Sequence, residues 1–255
     1  MNGLFENYIR NESILFKHAK GKSTLIGKEF HDYHEIILFL GGKAKLITEK
    51  FQADIFENNI IIIPKESYHQ LIILENEDNY HRCIFNFKET RELVPLLSNM
   101  PSYPEIITCN DFIITLVNRL IACTDKKTNV TMLEATIILI LNEIKNHTFV
   151  SKSTQNQALS LALEYINNHI AEKINVESIA RECNLSPSSL SHLFKNQMQI
   201  SIHQYIIKKR LVLAHSMIAS GIPAYAACID SGFTDYSGFY KQYKKVYGCS
   251  PSKSK

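Results

Sequence analysis

The chain has 255 residues, of which 45% are hydrophobic and 21% charged, with a formal net charge of +3. That balance belongs to a folded chain of about two domains and excludes a disordered or low-complexity polypeptide. No run reaches the ~18 apolar residues a membrane helix needs, and no apolar stretch follows Met1–Arg10 to make a secretory signal.

The six cysteines, Cys83, Cys109, Cys123, Cys183, Cys228 and Cys249, include no Cys-x-x-Cys pair. Reduced, mostly buried thiols in the cytoplasm are therefore expected. The charge is unevenly spread. Residues 157–255 carry nine Lys and two Arg against four Glu and two Asp, a net +5, and the other 17 basic and 19 acidic residues leave −2. A positive C-terminal part suits a phosphate backbone, although a solvated basic surface explains the same number.

In chain order, residues 12 to about 88 read as β-structure. Runs rich in Ile, Leu, Phe and Thr, such as Glu35–Leu40, Lys43–Thr48, Asn59–Ile63 and His81–Phe87, are broken by Gly41-Gly42, Asn58-Asn59 and Pro64. Many short strands with turn signals predict a sandwich or a small barrel. From 104 to 147 the period becomes helical. Asn110 should cap one helix, with Ile113, Val117 and Leu120 apolar, and a second begins near Thr131 with Leu133, Ile137, Ile140, Leu141 and Ile144. Ile138 and Leu139 extend its apolar surface beyond one face, so a further partner is expected. Residues 147–157 lose all apolar period after Val150 and read as a tether between a domain at 1–146 and another at 158–255.

The second domain contains a repeat. Val176–Glu182, capped by Asn175, predicts a short helix, Asn184 a sharp left-handed turn, and Ser186-Pro187 the cap and first turn of a longer helix with Leu190, Leu193 and Phe194 inward. The plan returns 48 residues later in Ala227–Asp235, with Gly232 for Asn184, Phe233 for Leu185 and Thr234 for the Ser186 cap. Beyond one inserted residue, Phe239 falls on Leu190, Lys241 on His192 and Tyr243 on Phe194. Two helix-turn-helix units, about 176–197 and 224–246, are expected.

Through Ile179-Ala180, Leu185-Ser186-Pro187, Leu193-Phe194-Lys195, Arg210-Leu211, Gly232-Phe233, Phe239, Tyr243-Lys244-Lys245 and Ser250-Pro251, this region resembles the DNA-binding domain of AraC/XylS-family transcription regulators. Gln199 replaces the family's usual glycine after the first recognition helix, Cys228 its usual alanine, and Gly238 a larger residue. Ahead of it, His31-Asp32-Tyr33-His34-Glu35, the stretch to Gly42 and Pro64–His69 resemble the cupin-like sensor domain found in many members, with Asn58-Asn59 in place of a Gly-Asp turn and Glu66 in place of Gly. The implied fold class is α+β in two domains: a cupin-like β-barrel with a helical pair, then an all-α domain. The family places dimerisation in that helical pair, so Leu133, Ile137, Ile140, Leu141 and Ile144 become the expected homodimer seam.

Cupin enzymes hold iron or manganese through two close His, a Glu and a later His, for which His31, His34, Glu35 and His69 are the candidates. The three-residue spacing of His31 and His34 puts them on opposite faces of a strand, which argues for no metal and no cofactor. Histidines that merely pack, or a polar small-molecule pocket using His31, Tyr33, His34, Glu35 and His69, remain as readings. No catalytic residue is assigned. A tethered cupin-type metal enzyme and a regulator controlled by a protein partner are the alternatives to a ligand-responsive regulator.

Double-stranded DNA is the expected partner, with a small-molecule effector and RNA polymerase behind it and no membrane. In such units the exposed early residues of the second helix reach base edges. These are Ser188, Ser191 and His192, with Lys195 near phosphate, and then Tyr236, Ser237, Tyr240 and Lys241, with Lys244 behind. Ser reads several bases, Lys favours guanine and a Tyr ring meets a thymine methyl. The helical stretch from Ile202 to Ser220 sets the units roughly one duplex turn, ~34 Å, apart. Arg210 is expected to pair inside the domain rather than with DNA.

Overall fold

A computed structural model describes residues 5–10, 13–21, 28–74, 80–123, 130–145 and 156–253. It divides into two compact units, 1–153 and 154–255. Most of the expected tether lies outside the described residues. Its last two residues open a helix, because the Asn156 side chain accepts the Ala158 N–H at 2.9 Å.

Among its described residues the first unit has ten strands: β1 (Phe5–Arg10), β2 (Ile14–Lys20), β3 (Lys28–Glu29), β4 (His34–Gly41), β5 (Ala44–Thr48), β6 (Gln52–Ile55), β7 (Asn59–Ile63), β8 (His69–Ile73), β9 (His81–Phe87) and β10 (Glu105–Thr108). They form two antiparallel sheets, ordered β1-β2-β9-β4-β7-β10 and β3-β8-β5-β6. Among the described residues there are thus two open sheets and not one closed cylinder. Turns after β6 and β7 use left-handed backbone at Asn58 (φ 66°) and Glu66 (φ 63°), the positions where the resembled family places glycine. Asn tolerates that region better than most side chains, and Glu tolerates it poorly.

Strand period explains the layers. On β4, Ile36 and Leu38 point one way, into a core with Phe85, Phe87 and the helices α1 (Asp111–Cys123) and α2 (Val130–Lys145). Ile37 and Phe39 point the other way, into a core with Leu46, Ile55 and Leu71 of the second sheet. Asn110 caps α1 as expected, accepting the Ile113 N–H at 2.9 Å, and its amide also donates to Glu143 of α2 at 2.9 Å.

The expected dimer seam is not on the surface. Leu133, Ile137, Leu141 and Ile144 are 0% exposed and Ile140 is 1% exposed, all inside the first core. Their spacing is that of the face α2 turns toward its own sheet. The outer apolar positions of the helical layer are instead Phe112 at 47% and Leu139 at 36% exposure, with Ile138 half-buried.

The second unit is helical: α3 (Gln157–Asn168), α4 (Val176–Glu182), α5 (Pro187–Met198), α6 (Ile202–Ala219), α7 (Ala224–Asp230) and α8 (Tyr236–Tyr247). Phe194 of α5 meets Tyr205 of α6 edge-on at 5.4 Å, and Leu211, Ala214, Cys228, Phe239 and Tyr243 form a core among α6, α7 and α8. No described helix is long and apolar enough to cross a membrane.

Ile137→Ala should cost the first unit about 2–5 kcal/mol, the usual range for emptying a packed core site. Urea unfolding will check it; a stable, dissociated chain would instead restore Ile137 to a seam. A second outcome concerns His18 and His81, whose Nε2 atoms face each other at 2.7 Å across β2 and β9. Burial, with Lys20, holds His18 below its ordinary value, and burial, with His18 and Lys20, pushes His81 down to about 4. Both rings resist protonation when folded, whereas unfolded histidine accepts a proton below about 6.5. Stability of this pair is therefore complete above about pH 6.5 and should be lost as pH falls toward 4, an effect that His81→Gln removes from a pH series of melting temperatures.

Candidate functional site

Two regions hold the candidate residues. In the helical unit, α4 opens with a reciprocal cap: Asn175 Oδ1 accepts the Ser178 N–H at 2.8 Å, and the Asn175 N–H donates to Ser178 Oγ at 3.4 Å. It closes through Asn184 in left-handed backbone (φ 54°), with the Leu185 N–H on the Ala180 carbonyl and the Asn184 N–H on the Arg181 carbonyl. The α7 end repeats this: Gly232 has φ 92°, the Phe233 N–H reaches the Cys228 carbonyl, and the Gly232 N–H reaches that of Ile229. Both are six-to-one helix stops with an apolar residue just past the turn.

Of the two longer helices, α5 is capped as expected and α8 is not. Ser186 caps α5, accepting the Ser189 N–H at 3.1 Å. The cap of α8 is Asp235, not Thr234: its carboxylate accepts the Ser237 and Gly238 N–H groups at 3.1 and 2.6 Å. Thr234 is the inserted residue, which lengthens the second turn. A side chain at Gly238 would begin 2.8 Å from Asp235 Oδ2, which accounts for the glycine there. At the end of α5, Gln199 takes φ 54° where the family usually has glycine.

On the outer faces, Ser188, Ser191, His192 and Lys195 of α5 are all exposed, as are Ser237, Tyr240, Lys241 and Lys244 of α8. Tyr236 is half-buried, its ring 5.7 Å from both Phe239 and Tyr225, so it packs as well as presents an edge. Two residues were not singled out from sequence. Asn196, one turn after His192, pairs its amide with His192 Nδ1 at 3.1 Å, and Tyr225 lies 66% exposed beside the start of α8. Helical spacing from His192 signalled the first; nothing in the sequence signalled the second. Arg210 is turned inward, donating from Nε to the Ile170 carbonyl at 2.8 Å and from its terminal nitrogen to the Glu172 carbonyl at 2.6 Å.

In the sheet unit the five candidate pocket residues divide. His34 and Glu35 are neighbours on β4 and so point to opposite faces. His34 stacks on Phe87 (5.5 Å) on the helix side, and its Nδ1 accepts the Lys65 N–H at 3.3 Å. Burial pushes its pKa down to about 4, helped by Lys65, which makes it a neutral packing residue. Glu35, 5% exposed, faces the second sheet, where its Oε2 lies 3.4 Å from His31 Nε2 and 3.2 Å from His69 Nε2.

His31 is not on a strand. It precedes the Asp32-Tyr33 bend, and its carbonyl accepts the Glu66 N–H at 2.8 Å. The strand period used to separate it from its neighbours therefore does not govern it. Tyr33 lies flat on its ring, centroids 3.9 Å apart and 5° from parallel. Burial, then Glu35 and Glu29, raise the Tyr33 hydroxyl's pKa, so it stays protonated. Glu29 of β3 completes the group at 4.0 Å from His69 Nε2 and was missed because a two-residue strand leaves no pattern. Burial, then Glu35, raise its pKa. Burial would raise Glu35 too, but the His31 and His69 rings outweigh it and hold the carboxyl well below the usual range.

Residues 179–255 match the helix-turn-helix domain family. A probable transcriptional regulator, LumQ of Photobacterium leiognathi, is 26% identical over 247 residues, covering 88% of this chain and 89% of its own. The arabinose operon regulatory protein of Escherichia coli K12 is 34% identical over 93 residues, 36% of this chain and 32% of its own. Among solved structures, unsaturated-fatty-acid-bound ToxT of Vibrio cholerae aligns over 97% of this chain and 95% of its own, at 17% identity and a TM-score of 0.43. The matched domain and these relatives define a DNA-binding transcription regulator. Residues 179–255 belong to the helix-turn-helix domain family, and the chain is similar to regulators of the AraC kind.

Gly232 fixes the second turn. A Cβ there would sit 2.7 Å from the Ile170 carbonyl oxygen and 2.9 Å from Arg210 Nε, at a φ that costs any side chain ~1–2 kcal/mol. Gly232→Ala should destabilise the helical unit by about 2 kcal/mol or more, whereas Asn184→Gly should be tolerated within about 1 kcal/mol; denaturant unfolding of both variants checks the contrast.

Proposed function

We propose that this regulator reads DNA with two helix-turn-helix units, α4–α5 and α7–α8, each laying its second helix in the major groove. The supporting observation is the repeated six-to-one stop followed by a capped helix with a polar, basic outer face. Ser188, Ser191, His192, Tyr236, Ser237, Tyr240 and Lys241 face the bases, while Lys195 and Lys244 meet phosphates. The 18 residues of α6 span about 27 Å at 1.5 Å per residue and set the spacing of the units. Bending of the duplex makes up a mismatch to one helical turn.

The sheet unit, cupin-like in its motifs, acts as the sensor and the homodimer platform, with residues 1–146 and 158–255 as the working domains and 147–157 as their tether. Phe112, Ile138 and Leu139, not the buried face of α2, carry the pairing. The relatives bear regulator names, which supports a regulatory and not an enzymatic role, and RNA polymerase at a promoter is the further partner such a role calls for. Activation and repression both fit this arrangement. A small molecule or a protein partner supplies the input by favouring one arrangement of the two units over another, and a tenfold effect on DNA affinity needs about 1.4 kcal/mol of such preference.

Operators selected from random duplexes with the full chain provide the test. Lys241→Ala should weaken selected sites roughly tenfold or more, ~1–3 kcal/mol, while changing random duplex much less. Equal losses on both would assign Lys241 to phosphate alone, and failure to select any sequence would sink the reading.

A further inference from the structure

The four side chains gathered on Glu35 have a geometry their own contacts leave incomplete. One ligand atom from each of Glu29, His31, Glu35 and His69 lies within 4.8 Å of every other. His31, Glu35 and His69 are 5%, 5% and 3% exposed. Both imidazoles are oriented from behind. His31 Nδ1 donates to the Tyr33 carbonyl at 2.7 Å, and His69 Nδ1 faces the Ser67 carbonyl at 3.4 Å. A neutral ring that donates from Nδ1 presents a lone pair at Nε2, and this backbone-carbonyl support is what metal-binding histidines use to fix tautomer and direction.

The front side shows the consequence. His31 Nε2 and Glu35 Oε2 approach to 3.4 Å, yet each is buried without a hydrogen bond of acceptable geometry. Two carboxylates and two imidazoles gathered in an interior need positive charge among them, supplied by a proton on an imidazole or by a metal cation. The spacings suit one: bonds of ~2.0–2.1 Å to a four-coordinate ion put neighbouring ligand atoms about 3.3 Å apart. The observed separations are 3.4, 3.2 and, at the more exposed Glu29, 4.0 Å.

We propose that Glu29, His31, Glu35 and His69 form a binding site for a divalent first-row transition-metal ion, zinc by its donors and spacing. Two imidazoles with two carboxylates suit zinc, iron(II) or manganese(II); the nitrogen donors disfavour calcium and magnesium, and the absence of thiolate disfavours copper(I). No metal was expected from sequence, and the set differs from the candidates weighed there: His34 faces away and Glu29 takes the fourth place. Glu35 comes from the six-stranded sheet, Glu29 and His69 from the four-stranded sheet, and His31 from the bend before β4. A bound ion therefore staples the two sheets at one edge. Glu29, with its side chain 38% exposed, is the ligand at the solvent side through which the ion enters. This inference goes beyond the DNA-reading assignment and does not rest on it.

The test uses the full chain, stripped with chelator and dialysed, then titrated with zinc and separately with cobalt(II). One zinc per chain should be retained through gel filtration, the melting temperature should rise on adding it, and cobalt should give the intense visible bands of a four-coordinate site. Glu29→Gln, at a half-exposed position that leaves the fold intact, should weaken binding at least tenfold, and Glu35→Gln or His69→Gln should abolish it. His18→Gln should leave it unchanged. Less than a tenth of an equivalent retained, with no change in melting temperature, overturns the proposal, as do cobalt bands that survive both Glu29→Gln and His69→Gln. Operator binding by the same stripped chain reports on the DNA-reading assignment separately, since that can stand or fall whichever way the metal result goes.

Discussion

Strand β4 carries apolar side chains on both faces, and a strand of that kind has to be covered twice. One face is covered by the helical layer of α1 and α2 and the other by the four-stranded sheet. Much of the sheet unit follows from that requirement. The helices cannot spend Leu133, Ile137 and Leu141 on a partner chain, because Ile36, Leu38 and Phe87 claim them. Burying an isoleucine or leucine contributes about 1.5–3 kcal/mol, so the layer is held by its own core before any second copy arrives. The same alternation divides His34 from Glu35. One becomes a neutral ring stacked on Phe87, and the other a carboxylate committed to the interior between the sheets.

A buried carboxylate is costly unless it is paired or ligated. Around Glu35 the fold arranges two imidazoles whose far nitrogens face backbone carbonyls and whose near nitrogens face the carboxylate. The supporting shell is built from short connections: the Asp32-Tyr33 bend, the strained Glu66 turn tied to the His31 carbonyl, and the two-residue strand β3. Strain at Glu66 and close packing of Tyr33 on His31 are features that a fold concentrates where geometry matters.

The helical unit solves a different problem, how to stop a short helix sharply and start another at a fixed angle. It does so twice with the same six-to-one hydrogen bond, using Asn184 once and Gly232 once. Asn suffices at the first turn. The second turn needs glycine because it lies against the Ile170 carbonyl and Arg210, which thereby connect the second helix pair to α3. Arg210 is spent on holding the unit together, so the basic character of the outer face rests on lysines.

What the sequence determined by itself is mostly local. Caps at Asn110, Asn175 and Ser186 and the left-handed Asn184 depend on hydrogen bonds within a few residues, and such signals are complete in the chain order, whereas the expected switch to helix near residue 104 comes only at Asp111, after strand β10. The Asp235 cap was hidden only by one inserted residue. The tertiary structure decided whatever depended on which neighbour covers a face. An apolar stripe on α2 has the same pattern whether it meets a sheet or a second copy. The period-two rule that separated His31 from His34 holds only on a strand; His31 lies before one, and the bend is what turns it to Glu35 while His34 stacks on Phe87. Glu29 joined the cluster because antiparallel pairing of β3 with β8 brings it beside His69, forty residues away, and no local period encodes a contact at that distance.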